Sequence, residues 1–144
     1  MPGAIPFHVT LRQHVLLVVP VTGFNHYNLR SDRSTLDALR DFYVDIVGLQ
    51  EGFRPSFKSF GYWLCAGTQA VLHLTGARPG ESRPSNVTNT SDQVAFSCMD
   101  ARERHLTDAN VAFTREYVPL TGRVQIFFND LCGNGVELNL AEAG

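Results

Sequence analysis

Two stretches of roughly fifty residues run through the same order of elements, strand, helix, strand, strand, strand, and this repeat restricts the fold more than any other feature. The first begins near Gly23. Phe24 to Arg30 reads as a strand, and Ser34-Thr35-Leu36-Asp37 reads as an N-cap with an acidic residue three positions on. Leu36, Leu39, Phe42, Tyr43, Ile46 and Val47 follow at helical spacing, and Gly48 is the expected stop. Strands are expected over Leu49 to Arg54, Ser59 to Cys65 and Ala70 to Leu74, with turns at Pro55 and Gly67-Thr68.

The second stretch repeats the order with little residue identity. Gln93 to Met99 is a strand, Asp100 caps a short helix to about Asp108, and strands follow at Val111 to Val118, Arg123 to Phe128 and Gly135 to Leu140. The expected class is therefore α+β: two βαβββ modules, about 23–75 and 93–142, building a cup-shaped mixed sheet with helices on its outer face. Residues 76–92 carry Gly, Pro, Ser, Asn and Thr with Val87 as the only large aliphatic, and read as a surface connector. Residues 1–22 read as an N-terminal extension with an added edge strand at Val15 to Val19.

Composition narrows the function classes. The 144 residues suit one domain with a real core, 44% hydrophobic and 18% charged. A formal charge of −2 without a Lys/Arg cluster gives no nucleic-acid footprint. The run Val15 to Val19 is too short to span a bilayer, and Pro20 with only Arg12 nearby makes a poor signal peptide. Three scattered cysteines make neither a disulfide framework nor a zinc-finger spacing, which fits a reducing cytoplasm.

Candidate chemistry follows from strand parity, because alternate side chains face opposite ways. In the last strand Val136, Leu138 and Leu140 form the core row, so Glu137 and Asn139 point to the other face. Val94, Phe96 and Cys98 send Gln93, Ala95 and Ser97 the same way, and Leu72 and Leu74 oppose His73. In the first strand Tyr27 and Leu29 suit the core, leaving His26 with Asn28 and Arg30. His26, His73, Gln93 and Glu137 thus share the helix-free face. Two imidazoles, an amide oxygen and a carboxylate form a mixed N/O set for a divalent ion such as Ni, Zn, Mn, Fe or Co, with positions left for water or a chelating substrate.

The same residues carry a resemblance to the vicinal oxygen chelate superfamily (glyoxalase I, bleomycin and fosfomycin resistance proteins, methylmalonyl-CoA epimerase, extradiol dioxygenases). It covers about residues 23 to 142 and rests on Phe24-Asn25-His26-Tyr27-Asn28-Leu29, Leu39-Arg40-Asp41-Phe42-Tyr43, Val47-Gly48-Leu49, Gly61-Tyr62-Trp63-Leu64, Leu72-His73-Leu74, Asp92-Gln93-Val94-Ala95-Phe96 and Asn129-Asp130-Leu131-Cys132-Gly133-Asn134-Gly135-Val136-Glu137-Leu138. The resemblance implies paired βαβββ modules, a homodimer, and metal ligands at His26, His73, Gln93 and Glu137. Gln93 stands where many members have a histidine, and His73 where glyoxalase I has a second carboxylate, which argues against glyoxalase I activity proper. Leu131-Cys132 replaces a Pro-Asp turn, either as a simple turn substitution or as a reactive thiol at Cys132.

The resulting expectation is a metal-dependent enzyme of lyase, isomerase or dioxygenase type, acting on a small molecule with neighbouring oxygens through a stabilised enolate, with Glu137 either as ligand only or as ligand and base in turn. Phe60, Tyr62 and Phe127 are candidate pocket walls, and Arg30 and Arg123 candidate holders of an anionic group. The alternative is a metal-free module that sequesters a small aromatic or cationic compound, to which the aromatic stretch Phe53 to Trp63 is suited. A domain that only dimerises through its sheet edges would leave four convergent polar residues unused.

Overall fold

Each half builds a sheet in which the first and last strands lie side by side. A computed structural model of the chain describes residues 23–82, 92–99 and 102–140. The first half contains β1 (Tyr27–Ser31), α1 (Arg33–Phe42) continued by a π-helical turn (Tyr43–Val47), β2 (Gln50–Gly52), β3 (Gly61–Ala66) and β4 (Gln69–Gly76). The second contains β5 (Gln93–Cys98), α2 (Glu103–Asp108), β6 (Phe113–Tyr117), β7 (Val124–Asn129) and β8 (Gly135–Leu140). The sheet orders are β1-β4-β3-β2 and β5-β8-β7-β6. In each, the first strand is parallel to the last and the other pairs are antiparallel, so both sheets are mixed. This is the α+β fold with two βαβββ units that the element order predicts.

The local starts and stops differ from the sequence reading in instructive ways. Helix α1 is capped by Asp32, not Ser34: the Asp32 carboxylate accepts from the Thr35 backbone N–H at 2.9 Å and from the Ser34 and Thr35 hydroxyls. Those three donors hold the Asp32 carboxyl below its usual range. A carboxylate outcompetes a hydroxyl here because it also meets the positive end of the helix. The helix ends as expected, with Gly48 left-handed at φ 98° and its N–H bonded to the Tyr43 carbonyl. Asp100, the expected cap of α2, lies outside the described residues, as do the expected strand Val15 to Val19 and most of the connector. Arg102 instead precedes α2 in a left-handed conformation, φ 49°.

Side chains from both halves meet in one core. Leu36, Leu39 and Phe42 of α1 pack with Leu64, Leu72 and Leu74, and the same buried cluster includes Leu106, Ile126, Val136 and Leu138. Polar links among the described residues also tie the halves together. Tyr43 donates its hydroxyl to Asp130 Oδ2 at 2.8 Å, and Arg102 donates to the Ile46 and Asp45 carbonyls at 2.6 and 3.1 Å. Arg102 thereby satisfies carbonyls left open at the end of the helical segment.

Candidate functional site

The register of the parallel strand pairs positions the four residues singled out above. In the first sheet His73 pairs with Asn28, two residues beyond His26. In the second sheet Glu137 pairs with Ala95, two residues beyond Gln93. His26 therefore stands to His73 as Gln93 stands to Glu137, one pair per module at equivalent places.

In the first module the imidazoles of His26 and His73 stack with centroids 3.7 Å apart, and the Trp63 indole stacks on the other side of His73 at 4.3 Å. Phe57 leans on Trp63 at 5.9 Å and extends the row. His26 donates from Nδ1 to Asn25 Oδ1 at 2.6 Å, leaving Nε2 available. Burial, then the like charge of His26, then that of Arg54 hold the His73 pKa below its usual value, so this imidazole favours its neutral, lone-pair-bearing form.

In the second module the Glu137 carboxylate is almost fully buried, at 6% exposure. Two amides satisfy it: Gln93 donates to one oxygen, and Gln125 donates to the other at 2.7 Å and to Asn139 Oδ1 at 3.1 Å. With the Gln93 amide nitrogen on Glu137, no donor among the described residues bonds its oxygen. Gly135 makes this contact sheet possible, since a Cβ there would meet the Asp92 carbonyl at 2.1 Å and force β5 away from β8. The preceding turn is organised by Asp130, which accepts from the backbone N–H groups of Cys132 and Asn134 and from the Asn134 side chain. The Cys132 thiol is pushed up by burial and then by the Asp130 and Asp32 charges, so Leu131-Cys132 acts as a turn and the thiol is disfavoured as a nucleophile.

The structure thus brings the four residues together as two pairs. Among the described residues, no three of His, Cys, Asp or Glu form a group that could hold a metal ion. A cavity of about 430 Å³ opens between the strands that carry the pairs; Tyr27, Asn28, Tyr43, Gln93 and Asn134 line it, while His26, His73 and Glu137 do not.

The expected pocket walls divide. Phe127 pairs directly with Glu137 across β7 and β8 and so shares its face. Tyr62 does not reach the helix-free face, because its hydroxyl donates to Asp37 at 2.5 Å and accepts from Arg40, both on α1. Phe60 packs edge-on against Tyr62 with Arg33 over its ring, again on the α1 side. Trp63, one residue along β3, takes the place expected of Tyr62. Arg30 is tied to the Gly76 carbonyl at 2.6 Å, and Arg123 is exposed in the turn before β7. Parity within Val124 to Phe128 could have found Gln125, because Ile126 and Phe128 are buried and Gln125 alternates with them.

Comparisons with known proteins agree at the level of the fold. No family model and no curated protein matches the chain. Among solved structures, it superposes on a lactoylglutathione lyase from Agrobacterium tumefaciens at 19% identity and TM-score 0.57, covering 85% of this chain and 96% of that one. A glyoxylase/bleomycin resistance protein/dioxygenase domain from a Frankia species matches at 19% identity and TM-score 0.64, covering 85% and 100%. The fosfomycin resistance protein FosX from Listeria monocytogenes matches at 17% identity and TM-score 0.61, covering 87% and 95%. No helix among the described residues is long and apolar enough to cross a membrane. With its two mixed sheets of equivalent strand order, the chain shares the fold of these lyase, dioxygenase-type and fosfomycin resistance proteins.

Proposed function

We propose that this chain is a glyoxalase/dioxygenase-like, metal-dependent enzyme acting on a small molecule with neighbouring oxygens. The observation that carries this reading is the identical register of the two pairs, His26 with His73 and Gln93 with Glu137. Equivalent places in two equivalent modules are what a shared site between paired modules requires. The donor set suits a divalent ion: two imidazole nitrogens, one of them held neutral by its surroundings, a carboxylate, and an amide oxygen turned away from Glu137. Among the described residues of one chain, His26, His73 and Glu137 do not form a single metal-holding group. Their union in a homodimer, each copy offering one pair to the other, is the assembly this reading calls for.

A bound Ni, Zn, Mn, Fe or Co ion would supply Lewis acidity toward the substrate oxygens. The chain's residues do the rest. Glu137 accepts a proton from the carbon next to those oxygens, and Gln93 and Gln125 hold its two oxygens in a fixed orientation for that transfer. The edges of the stacked His26, His73 and Trp63 rings give the substrate an aromatic wall. Metal analysis of the purified protein tests this: a near-stoichiometric divalent ion is expected, lost in the double variant His26→Ala, Glu137→Ala. A metal-free wild-type protein refutes it.

A second reading is favoured by one observation, that amide donors already engage both Glu137 oxygens while aromatic rings surround His73 in the first module. The same face would then sequester a small aromatic or cationic compound without metal, as resistance proteins do. Tight ligand-induced change in Trp63 fluorescence on metal-free protein identifies this case.

A further inference from the structure

Arg54 stands apart from the other arginines that have charged partners. Arg40, Arg78, Arg104 and Arg115 each lie within 4.0 Å of a carboxylate, whereas Arg54 has none among the described residues. Its terminal nitrogens bond Ser59, one to the carbonyl at 3.0 Å and one to the hydroxyl at 3.2 Å. Its Nε–H is buried without a hydrogen-bond partner. An unpaired guanidinium with an unsatisfied buried donor is costly unless an acceptor arrives.

Its neighbours are aromatic. The guanidinium lies 4.8 Å over the Phe57 ring, Phe57 contacts Trp63, and Trp63 stacks on His73. Arg54 Nε packs over Gly61, 3.2 Å from where a Cβ would stand, at a position that the Leu74 carbonyl, 2.1 Å from the same point, already restricts to glycine. Cation and flat rings are thus contiguous on the module that carries His26 and His73. A planar fork beside a row of aromatic rings matches a small acid that carries both a carboxylate and a ring.

We propose that Arg54 is the anion-holding residue of the site, and that its ligands are small aromatic carboxylic acids with a second oxygen next to the carboxylate. This deepens the reading of the helix-free face as the small-molecule site and rests on it. The carboxylate meets Arg54 while the ring lies along the Phe57–Trp63–His73 row.

Trp63 is the only tryptophan of the chain, so its emission reports directly on this row. The test titrates metal-loaded and chelator-treated protein with mandelate and with its neutral analogue mandelamide. Mandelate is expected to give a saturable change, with mandelamide at least tenfold weaker and only the mandelate response weakened by added salt. Arg54→Gln is expected to abolish the preference, and Ser59→Ala, which removes only the hydroxyl contact, to retain it. No saturable response to mandelate, equal response to the amide, or an unchanged preference in folded Arg54→Gln overturns the assignment. Should Arg54→Gln fail to fold, the amide comparison and the salt response of the wild-type protein decide. Equal affinities with and without metal count against the metal reading alone and leave Arg54 assigned.

Discussion

Replacing Gln125 by Leu removes one of the two donors to a carboxylate that has almost no access to water. Glu137 is 6% exposed, and Gln125 reaches it at 2.7 Å. A hydrogen bond to a charged group contributes about 1.5–3 kcal/mol, and an orphaned buried acceptor costs a comparable amount. The Asn139 contact at 3.1 Å is lost as well, but Asn139 is only partly buried and can turn to solvent. The expected loss is about 2 kcal/mol, which for a chain of this size lowers the melting temperature by about 6 °C. The assay is thermal unfolding of four proteins: wild type, Gln125→Leu, Glu137→Gln and the double variant. With the charge gone in Glu137→Gln, the same leucine should cost about 1 kcal/mol or less. Equal losses in both backgrounds would refute the claim that Gln125 acts through the carboxylate.

Two further outcomes follow from the site's geometry. His73 has a lowered pKa in the folded chain, so the unfolded chain, titrating near 6.5, binds more protons in the window below that value. Stability therefore rises with pH between the lowered folded value and about 6.5 and is flat above. His73→Gln should remove that component of a pH series of denaturant midpoints. Gly135→Ala places a methyl where the Asp92 carbonyl stands. It should cost more than about 2 kcal/mol by denaturant unfolding and abolish metal retention, whereas Gly67→Ala, with nothing within 4 Å of its Cβ position, should cost only the strain of its φ of 60°.

The amphipathic runs alone determined the repeat of strand, helix and three strands, the span of the first helix and the face on which His26, His73, Gln93 and Glu137 lie. Local periodicity suffices for these because a side chain's direction along a strand alternates whatever its neighbours do. Distance between faces has no such local signature. That His26 stacks on His73 and Gln93 meets Glu137 follows from a parallel register between strands over forty residues apart in the chain. The separation of the two pairs depends on how the halves pack. Tyr62, named as a pocket wall from the sequence, was misplaced for the same reason: the pairing of Tyr62 with Leu74 and of Trp63 with His73, and the Asp37 and Arg40 contacts of the Tyr62 hydroxyl, put Tyr62 on the helix side and Trp63 beside His73. Arg54 was silent in the sequence because an unpaired cation is defined by what fails to surround it, and that is a property of the folded chain.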